Sequence, residues 1–74
     1  MYCEQTIEVH SALDLEDVKN VLWMVKLPQD FDLKRTSRLE VWCSSFSDPG
    51  TDFTEFRFFD YKGVQFHTQR QNGY

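Results

Sequence analysis

The sequence predicts an α+β domain in which one helix packs on an antiparallel-rich, four-stranded sheet, in the order β-α-β-β-β. Apolar residues recur at helical spacing in only one segment, residues 14–27, whereas four other segments alternate with the period of two typical of strands. A chain of 74 residues has the size of one domain. We therefore expect residues 1–74 to form a single domain, with residues 71–74 as a frayed tail.

The first strand is expected at residues 5–10, where Ile7 and Val9 alternate with polar neighbours. The helix should begin at the capping residue Asp14, with the preceding leucine as a hydrophobic staple, and should end before Pro28. One stripe of this helix is apolar and should face the core; it consists of Leu15, Val18, Val21, Leu22 and Val25.

Three further strands should follow, at residues 38–44, 52–60 and 63–70. Asp48-Pro49-Gly50 predicts a turn before the second of these, and Tyr61-Lys62-Gly63 predicts a hairpin after it. The phase of the strand at 52–60 stays open, because phenylalanines occupy both parities. One helix covers only one face of the sheet, so the other face meets water or a partner. Candidates for that uncovered face are Trp42, Glu40 and His67.

The charge is acidic and uneven along the chain. Twelve acidic residues stand against eight basic ones, and residues 1–32 hold seven acidic and only two basic residues. This balance disfavours nucleic-acid binding, which usually needs a basic stripe. It leaves open either an acidic surface aimed at a basic partner or a charge that keeps the protein soluble. The chain has no basic leader and no long apolar run, so we expect no membrane association and a location in the cytoplasm or a host cytoplasm.

Residues with metal-binding or nucleophilic chemistry are few and poorly spaced. The possible soft or borderline metal ligands are Cys3, His10, Cys43 and His67. None shows the close spacing of a zinc site, so we expect no metal and no cofactor, and we expect both cysteines to be buried thiols. A disulfide between them stays open if the first two strands are neighbours. The serines of residues 44–47 lack a strained Gly-x-Ser-x-Gly turn, which disfavours a catalytic triad with His67.

Protein binding is the function that the residue pattern favours. Trp23 lies opposite the core stripe of the helix, where a residue exposed to solvent is usually polar. Tryptophan is frequent in the hot spots of protein interfaces. Trp42 is the corresponding ring on the uncovered sheet face. Two alternatives remain, in which Trp23 folds onto Phe31 or Trp42 only shields a sheet edge. The predicted partner-binding residues are Trp23, Leu27, Met24, Glu16, Asn20, Asp17 and Trp42.

In size and charge the chain resembles small phage-encoded proteins that inhibit host enzymes or defence complexes. This resemblance implies a non-catalytic module that inhibits or modulates a larger, nucleic-acid-handling protein with a basic surface. Trp23 would be its apolar anchor, and the acidic contacts would come from Glu4, Glu8, Asp14, Glu16 and Asp17. Two alternatives stay open: a homodimer with a structural or nucleic-acid-accessory role and, third, a small hydrolase.

Overall fold

A computed structural model describes residues 1–44 and 53–72 and confirms the α+β class with the order β-α-β-β-β. The four strands form one sheet in the order β1-β2-β3-β4, and each strand is antiparallel to its neighbour. The helix α1 and a short 3-10 helix (Leu33–Arg35) lie between the first two strands in the chain. The elements are β1 (Tyr2–Glu8), α1 (Ala12–Val21), β2 (Arg38–Cys43), β3 (Phe53–Phe59) and β4 (Gln65–Asn72).

Several boundaries differ from the predicted ones. β1 begins three residues earlier than expected, and β4 continues to Asn72, so Gln71 and Asn72 belong to a strand and not to a frayed tail. The predicted turn at Asp48-Pro49-Gly50 and the last two residues of the chain lie outside the described residues.

The N-terminus of α1 is capped by Ser11 and not by Asp14. The Ser11 backbone is extended, and its hydroxyl oxygen accepts from the Asp14 N–H at 3.4 Å. Asp14 occupies the first turn of the helix, and its carboxylate accepts from the His10 N–H at 2.9 Å. The expected staple is also wrong, because Leu13 is 79% exposed. β1 ends at Glu8, two residues earlier than predicted, and the helix cap is Ser11, three residues before the predicted cap Asp14.

We expect Ser11→Ala to lower the free energy of unfolding by about 0.5–2 kcal/mol, because the substitution removes the acceptor at the start of α1. Ser11→Gly is the matched control and should cost only a few tenths of a kcal/mol, since glycine is itself tolerated at this position. Urea denaturation of the three proteins measures both differences. Equal losses in the two variants would contradict the capping role of the hydroxyl.

The helix ends at Val21, six residues before the predicted end. The Leu22 N–H bonds to the carbonyl oxygens of Val18 and Lys19, and the chain then turns so that the Val25 N–H bonds to the Leu22 oxygen at 2.9 Å. This turn brings Val25 and Leu27 against the core, although a straight helix would carry Leu27 away from it.

The core lies between α1 and one face of the sheet. Phe56 and Phe58 of β3 are completely buried, together with Leu39 of β2 and Val18 of α1. Thr54 is buried on the same face, which settles the phase of β3. Burying one large apolar side chain contributes about 1.5–3 kcal/mol, so these residues supply much of the stability of so small a domain.

A β-bulge in β4 places two consecutive rings on the same side of the sheet. Neighbouring residues of a regular strand point to opposite faces. The pairing shifts at Phe66, since His67 pairs with Phe58 while Gln65 pairs with Phe59. Both rings consequently contact Phe31, with centroids 5.8 Å away for Phe66 and 4.9 Å away for His67. His67 therefore lies on the helix side of the sheet, and its predicted place on the uncovered face was wrong.

The predicted hairpin between β3 and β4 is confirmed. The Asp60 carboxylate accepts from the backbone N–H groups of Lys62 and Val64, both at 2.9 Å, and Gly63 adopts a positive φ of 79°. The Val64 hydrogen bond lowers the pKa of Asp60; partial burial opposes this shift, whereas Lys62 and Arg35 add to it. The turn therefore favours the ionised carboxylate.

Candidate binding surfaces

The turn that follows α1 exposes two large apolar side chains, Trp23 and Met24. Trp23 is 76% exposed and Met24 is 51% exposed. We refer to these two residues as the helix-end patch. The alternative in which the indole packs on Phe31 does not fit this exposure, because Phe31 instead contacts the rings of Phe58, Phe66 and His67.

The predicted polar neighbours of the patch are all on the surface of α1. Glu16, Asp17 and Asn20 are exposed, and Glu16 and Asn20 lie one turn apart on one side of the helix. The Lys19 ammonium lies 3.1 Å from a Glu16 oxygen. Such an exposed pair contributes at most about 1 kcal/mol, so a partner can replace it at little cost.

Leu27 is not part of this surface. It was predicted to accompany Trp23, but the chain leaves the helix after Val21, and Leu27 is half-buried against the core. Trp42 lies on β2, on the sheet face that α1 does not cover. The predicted residues therefore divide into a group on the helix side and a single ring on the opposite side of the molecule.

The other acidic residues proposed for a basic partner already have contacts within the chain. The Cys43 thiol donates to a Glu4 oxygen at 2.8 Å, and a Glu8 oxygen lies 3.4 Å from the His10 Nε2. Asp14 holds the start of α1. Glu16 and Asp17 are consequently the acidic side chains best placed beside the helix-end patch.

The uncovered sheet face carries arginines stacked on aromatic rings. The Cζ atom of Arg38 lies 4.2 Å from the Phe59 ring centroid, that of Arg57 lies 4.3 Å from the Trp42 ring, and that of Arg70 lies 4.2 Å from the Phe53 ring. Cation–π contacts of this kind contribute about 0.5–1 kcal/mol each when exposed. We call this surface the arginine–aromatic face; it comprises Arg38, Glu40, Trp42, Phe53, Glu55, Arg57, Phe59 and Arg70.

Glu55 hydrogen-bonds two of the arginines, whereas Glu40 forms only an ion pair with the third, whose Nε has no hydrogen-bond partner among the described residues. Glu55 accepts from Arg57 Nε at 2.5 Å and from Arg70 Nη2 at 2.7 Å. Glu40 accepts from the Trp42 indole N–H at 3.0 Å and lies 3.2 Å from Arg38 Nε. Burial raises the pKa of Glu55, but the hydrogen bonds and charges of Arg70 and Arg57 outweigh it and hold the pKa below its ordinary value.

The carboxylates of Glu40 and Glu55 are less exposed than the guanidinium groups beside them. The side chain of Glu55 is 8% exposed and that of Glu40 is 18% exposed, whereas those of Arg57, Arg38 and Arg70 are 25%, 36% and 57% exposed. Glu8 of β1 pairs with Arg38 on the same side of the sheet, and its side chain is 58% exposed. Among the described residues, this side of the sheet therefore carries three arginines and three glutamates.

The sequence placed Trp42 and Glu40 on this face but did not predict the arginines over its aromatic rings. The missed signal was that Arg38 shares its strand parity with Trp42, and Arg57 shares its parity with Phe53 and Phe59.

The two cysteines lie on opposite faces of the sheet and are not joined by a disulfide. A bulge between Cys3 and Gln5 places Cys3 opposite Trp42, so Cys3 is exposed, contrary to the predicted burial. Cys43 is half-buried. Within residues 1–44 and 53–72, no group of three or more His, Cys, Asp or Glu residues is arranged to hold a metal ion.

Of the residues considered for a triad, Ser45 and Ser47 lie outside the described residues, and Ser44 and His67 have other partners. The Ser44 hydroxyl oxygen accepts from the Phe53 N–H at 3.2 Å, and His67 Nε2 lies 3.2 Å from the Gln69 side-chain oxygen.

In the described part of the chain, no helix has the length and apolar character needed to cross a membrane.

Comparison with known proteins finds no family model that matches this chain, no curated protein with significant sequence similarity and no solved structure with significant structural similarity.

Proposed function

We propose that this protein is a non-catalytic binding module that docks on a larger protein through the helix-end patch and thereby inhibits or modulates it. The observation that carries this proposal is the 76% exposure of Trp23 beside the half-exposed Met24. An indole and a thioether in water are costly, and both become favourable when they enter an apolar pocket. Tryptophan at the centre of such a contact commonly dominates the binding energy.

The charge beside the patch defines the partner's chemistry. Glu16 and Asp17 are exposed on the helix that leads into Trp23. A complementary surface would offer an apolar pocket for the indole and basic side chains around it. A nucleic-acid-handling protein in the cytoplasm, or in the cytoplasm of a host in the manner of a phage accessory protein, has such basic surfaces.

Charge also favours a foreign partner over a second copy. A two-fold dimer through the helix-end patch would bring the same surface of both copies together. Glu16 and Asp17 of one copy would then approach those of the other, and like charges in an interface are destabilising. A basic partner meets no such repulsion.

Photo-crosslinking from position 23 tests the proposal, with position 13 as the matched control. Leu13 lies on α1 and is 79% exposed, close to the 76% exposure of Trp23 after the end of that helix, so the two positions are similarly accessible. In extract of the source cells we expect a crosslink to one foreign protein from position 23 only. Excess wild-type protein should suppress this crosslink, whereas excess Trp23→Ser should not. Equal crosslinking from both positions, or adducts only between copies of this chain, would contradict the proposal.

We expect Trp23→Ser to weaken binding to that protein by about 2 kcal/mol or more, which is about 30-fold in Kd. The free energy of unfolding should change by less than about 0.5 kcal/mol, because most of the Trp23 ring is already exposed to solvent in the folded monomer. Calorimetric titration and urea denaturation measure the two quantities. Leu13→Ser should leave Kd unchanged. A large loss of stability in Trp23→Ser would instead assign the ring to the fold.

A further inference from the structure

We propose that Cys3 and Cys43 are a site of reversible oxidation, at which they form a disulfide when the β-bulge at Glu4 is expelled from β1. The two thiols now lie on opposite faces of neighbouring strands, and the bulge separates β1 into two registers. The proposal involves neither residue of the helix-end patch. It therefore does not depend on the proposed binding function, and either one can fail without the other.

The bulge is what keeps the two cysteines from facing each other. After the bulge, β1 pairs regularly with β2 from Gln5 opposite Val41 onward. The same regular pairing carried back from Gln5 would place Cys3 directly opposite Cys43. Directly opposed residues of antiparallel strands have Cα atoms about 4.5–5.5 Å apart, and disulfides span Cα distances of about 4.4–6.8 Å. The regular register is consequently compatible with a disulfide.

Expelling the bulge would disturb little of the sheet. Only Tyr2 and Cys3 of β1 precede the bulge, so two pairs break and re-form one residue further along β2. Both residues are exposed, and β1 is an edge strand, so no core side chain and no further strand has to follow the shift. Strand register is weakly specified where no face is buried. The two registers of this short segment are therefore close in free energy.

Glu4 favours the bulge in the reduced protein. Its carboxylate accepts from the Cys43 thiol at 2.8 Å, so it lies where the Cys3 sulfur would lie in the regular register. The Cys3 Sγ makes only a long contact in its present position, 3.5 Å from the Thr6 hydroxyl oxygen. In the regular register Glu4 would leave Cys43 and lie opposite Trp42 on the outer face.

The oxidant is a small-molecule disulfide, for which we use glutathione disulfide. The exposed Cys3 loses its proton to water, and its thiolate attacks one glutathione sulfur, which forms a mixed disulfide and releases one glutathione thiolate. Once the bulge is expelled, the Cys43 thiolate attacks the Cys3 sulfur and the bond to glutathione breaks. The two glutathione thiolates take up the two protons that the cysteines lost. Two protein thiols are thus oxidised to one disulfide, and one glutathione disulfide is reduced to two thiols.

Equilibration in glutathione redox buffers tests the proposal, with alkylation of the remaining thiols and peptide mass spectrometry as the readout. We compare deletion of Glu4 with Glu4→Ala. Both changes remove the carboxylate beside Cys43, but only the deletion removes the extra residue of the bulge. We expect the equilibrium constant for the intrachain disulfide to be at least tenfold larger for the deletion than for Glu4→Ala. Thermal melts by circular dichroism verify that both variants are folded.

The register of the oxidised wild-type protein is measured directly by NMR, so the test does not depend on the folding of a variant. The cross-strand backbone contact of Trp42 should change from Cys3 in the reduced protein to Glu4 in the oxidised protein. Cys43→Ser is the control and should keep the Cys3 contact at every ratio of oxidised to reduced glutathione. Three results would overturn the proposal: no intrachain disulfide in the wild type, a disulfide with Cys3 still opposite Trp42, or equal equilibrium constants for the deletion and Glu4→Ala.

Discussion

Phe58→Ala is expected to lower the free energy of unfolding by about 3–5 kcal/mol, the usual cost of removing a fully buried aromatic ring. Phe58 has no exposed surface, and its ring centroid lies 5.0 Å from that of Phe31 and 5.5 Å from that of His67. A domain of 74 residues has a total stability of about 4–11 kcal/mol. The substitution therefore removes a large part of the free energy of unfolding, and we expect a substantial unfolded fraction at 37 °C.

Urea denaturation followed by circular dichroism measures this loss, and Phe59→Ala is the matched control. Phe59 is the next residue of β3, but it is only half-buried and lies on the arginine–aromatic face beneath Arg38. Its removal should cost about 1–2 kcal/mol, from partial burial and one cation–π contact. If both variants lost the same stability, the two faces of β3 would be equally packed, and the core would not lie on the helix side alone.

The parts of the fold that the sequence predicted are those where local pattern and tertiary packing agree. The alternation in β2, with Leu39 and Val41 in the core, and the apolar stripe of α1 around Val18 were predicted for this reason. The phase of β3 was not, because phenylalanine occupies both parities of that strand. Glu55 is buried on the outer face between Arg57 of its own strand and Arg70 of β4, and the contact with Arg70 depends on strand pairing that no local pattern specifies.

Two bulges account for the mispredicted side-chain directions. An extra residue at Glu4 inverts the alternation of β1 and turns Cys3 to the outer face, and an extra residue at Phe66 turns His67 inward. Neither position carries a glycine or another residue that marks a bulge in sequence. The position of Leu27 was mispredicted for a similar reason. The helical pattern of apolar residues continues to Val25, but the helix ends at Val21, and the turn after it brings Leu27 to the core.

The candidate site was predicted only in part for a related reason. Helical periodicity predicted that Trp23 points away from the core, and Trp23 is exposed although it lies in the turn after α1 and not on the helix itself. The arginine–aromatic face joins residues of three strands, and its ion pairs depend on which residues the strand pairing brings together. Composition suggested that the basic residues were too few to matter, but β2, β3 and β4 each place one arginine on the same face.

Glu55→Gln is expected to lower the free energy of unfolding at pH 7 by about 1.5–3 kcal/mol, the range for hydrogen bonds to a charged group. The amide keeps the size of the side chain but loses the charge that Arg57 and Arg70 share. Glu40→Gln is the control on the same face. Glu40 is more exposed and faces a single arginine, so the loss should be smaller.

The pH dependence of this difference tests its electrostatic origin. The folded-state pKa of Glu55 lies below its ordinary value of 4.5, because the hydrogen bonds and charges of the two arginines outweigh the effect of burial. A depressed carboxyl pKa adds stability that is fully present above 4.5 and is lost as the pH falls through the folded-state value. The stability gap between wild type and Glu55→Gln should therefore be constant between pH 6 and pH 7 and should shrink towards pH 3 (urea denaturation at each pH measures it). A gap that stayed the same at pH 3 would show that the amide disturbs packing, and the glutamate would then not be what holds the arginines on the open face.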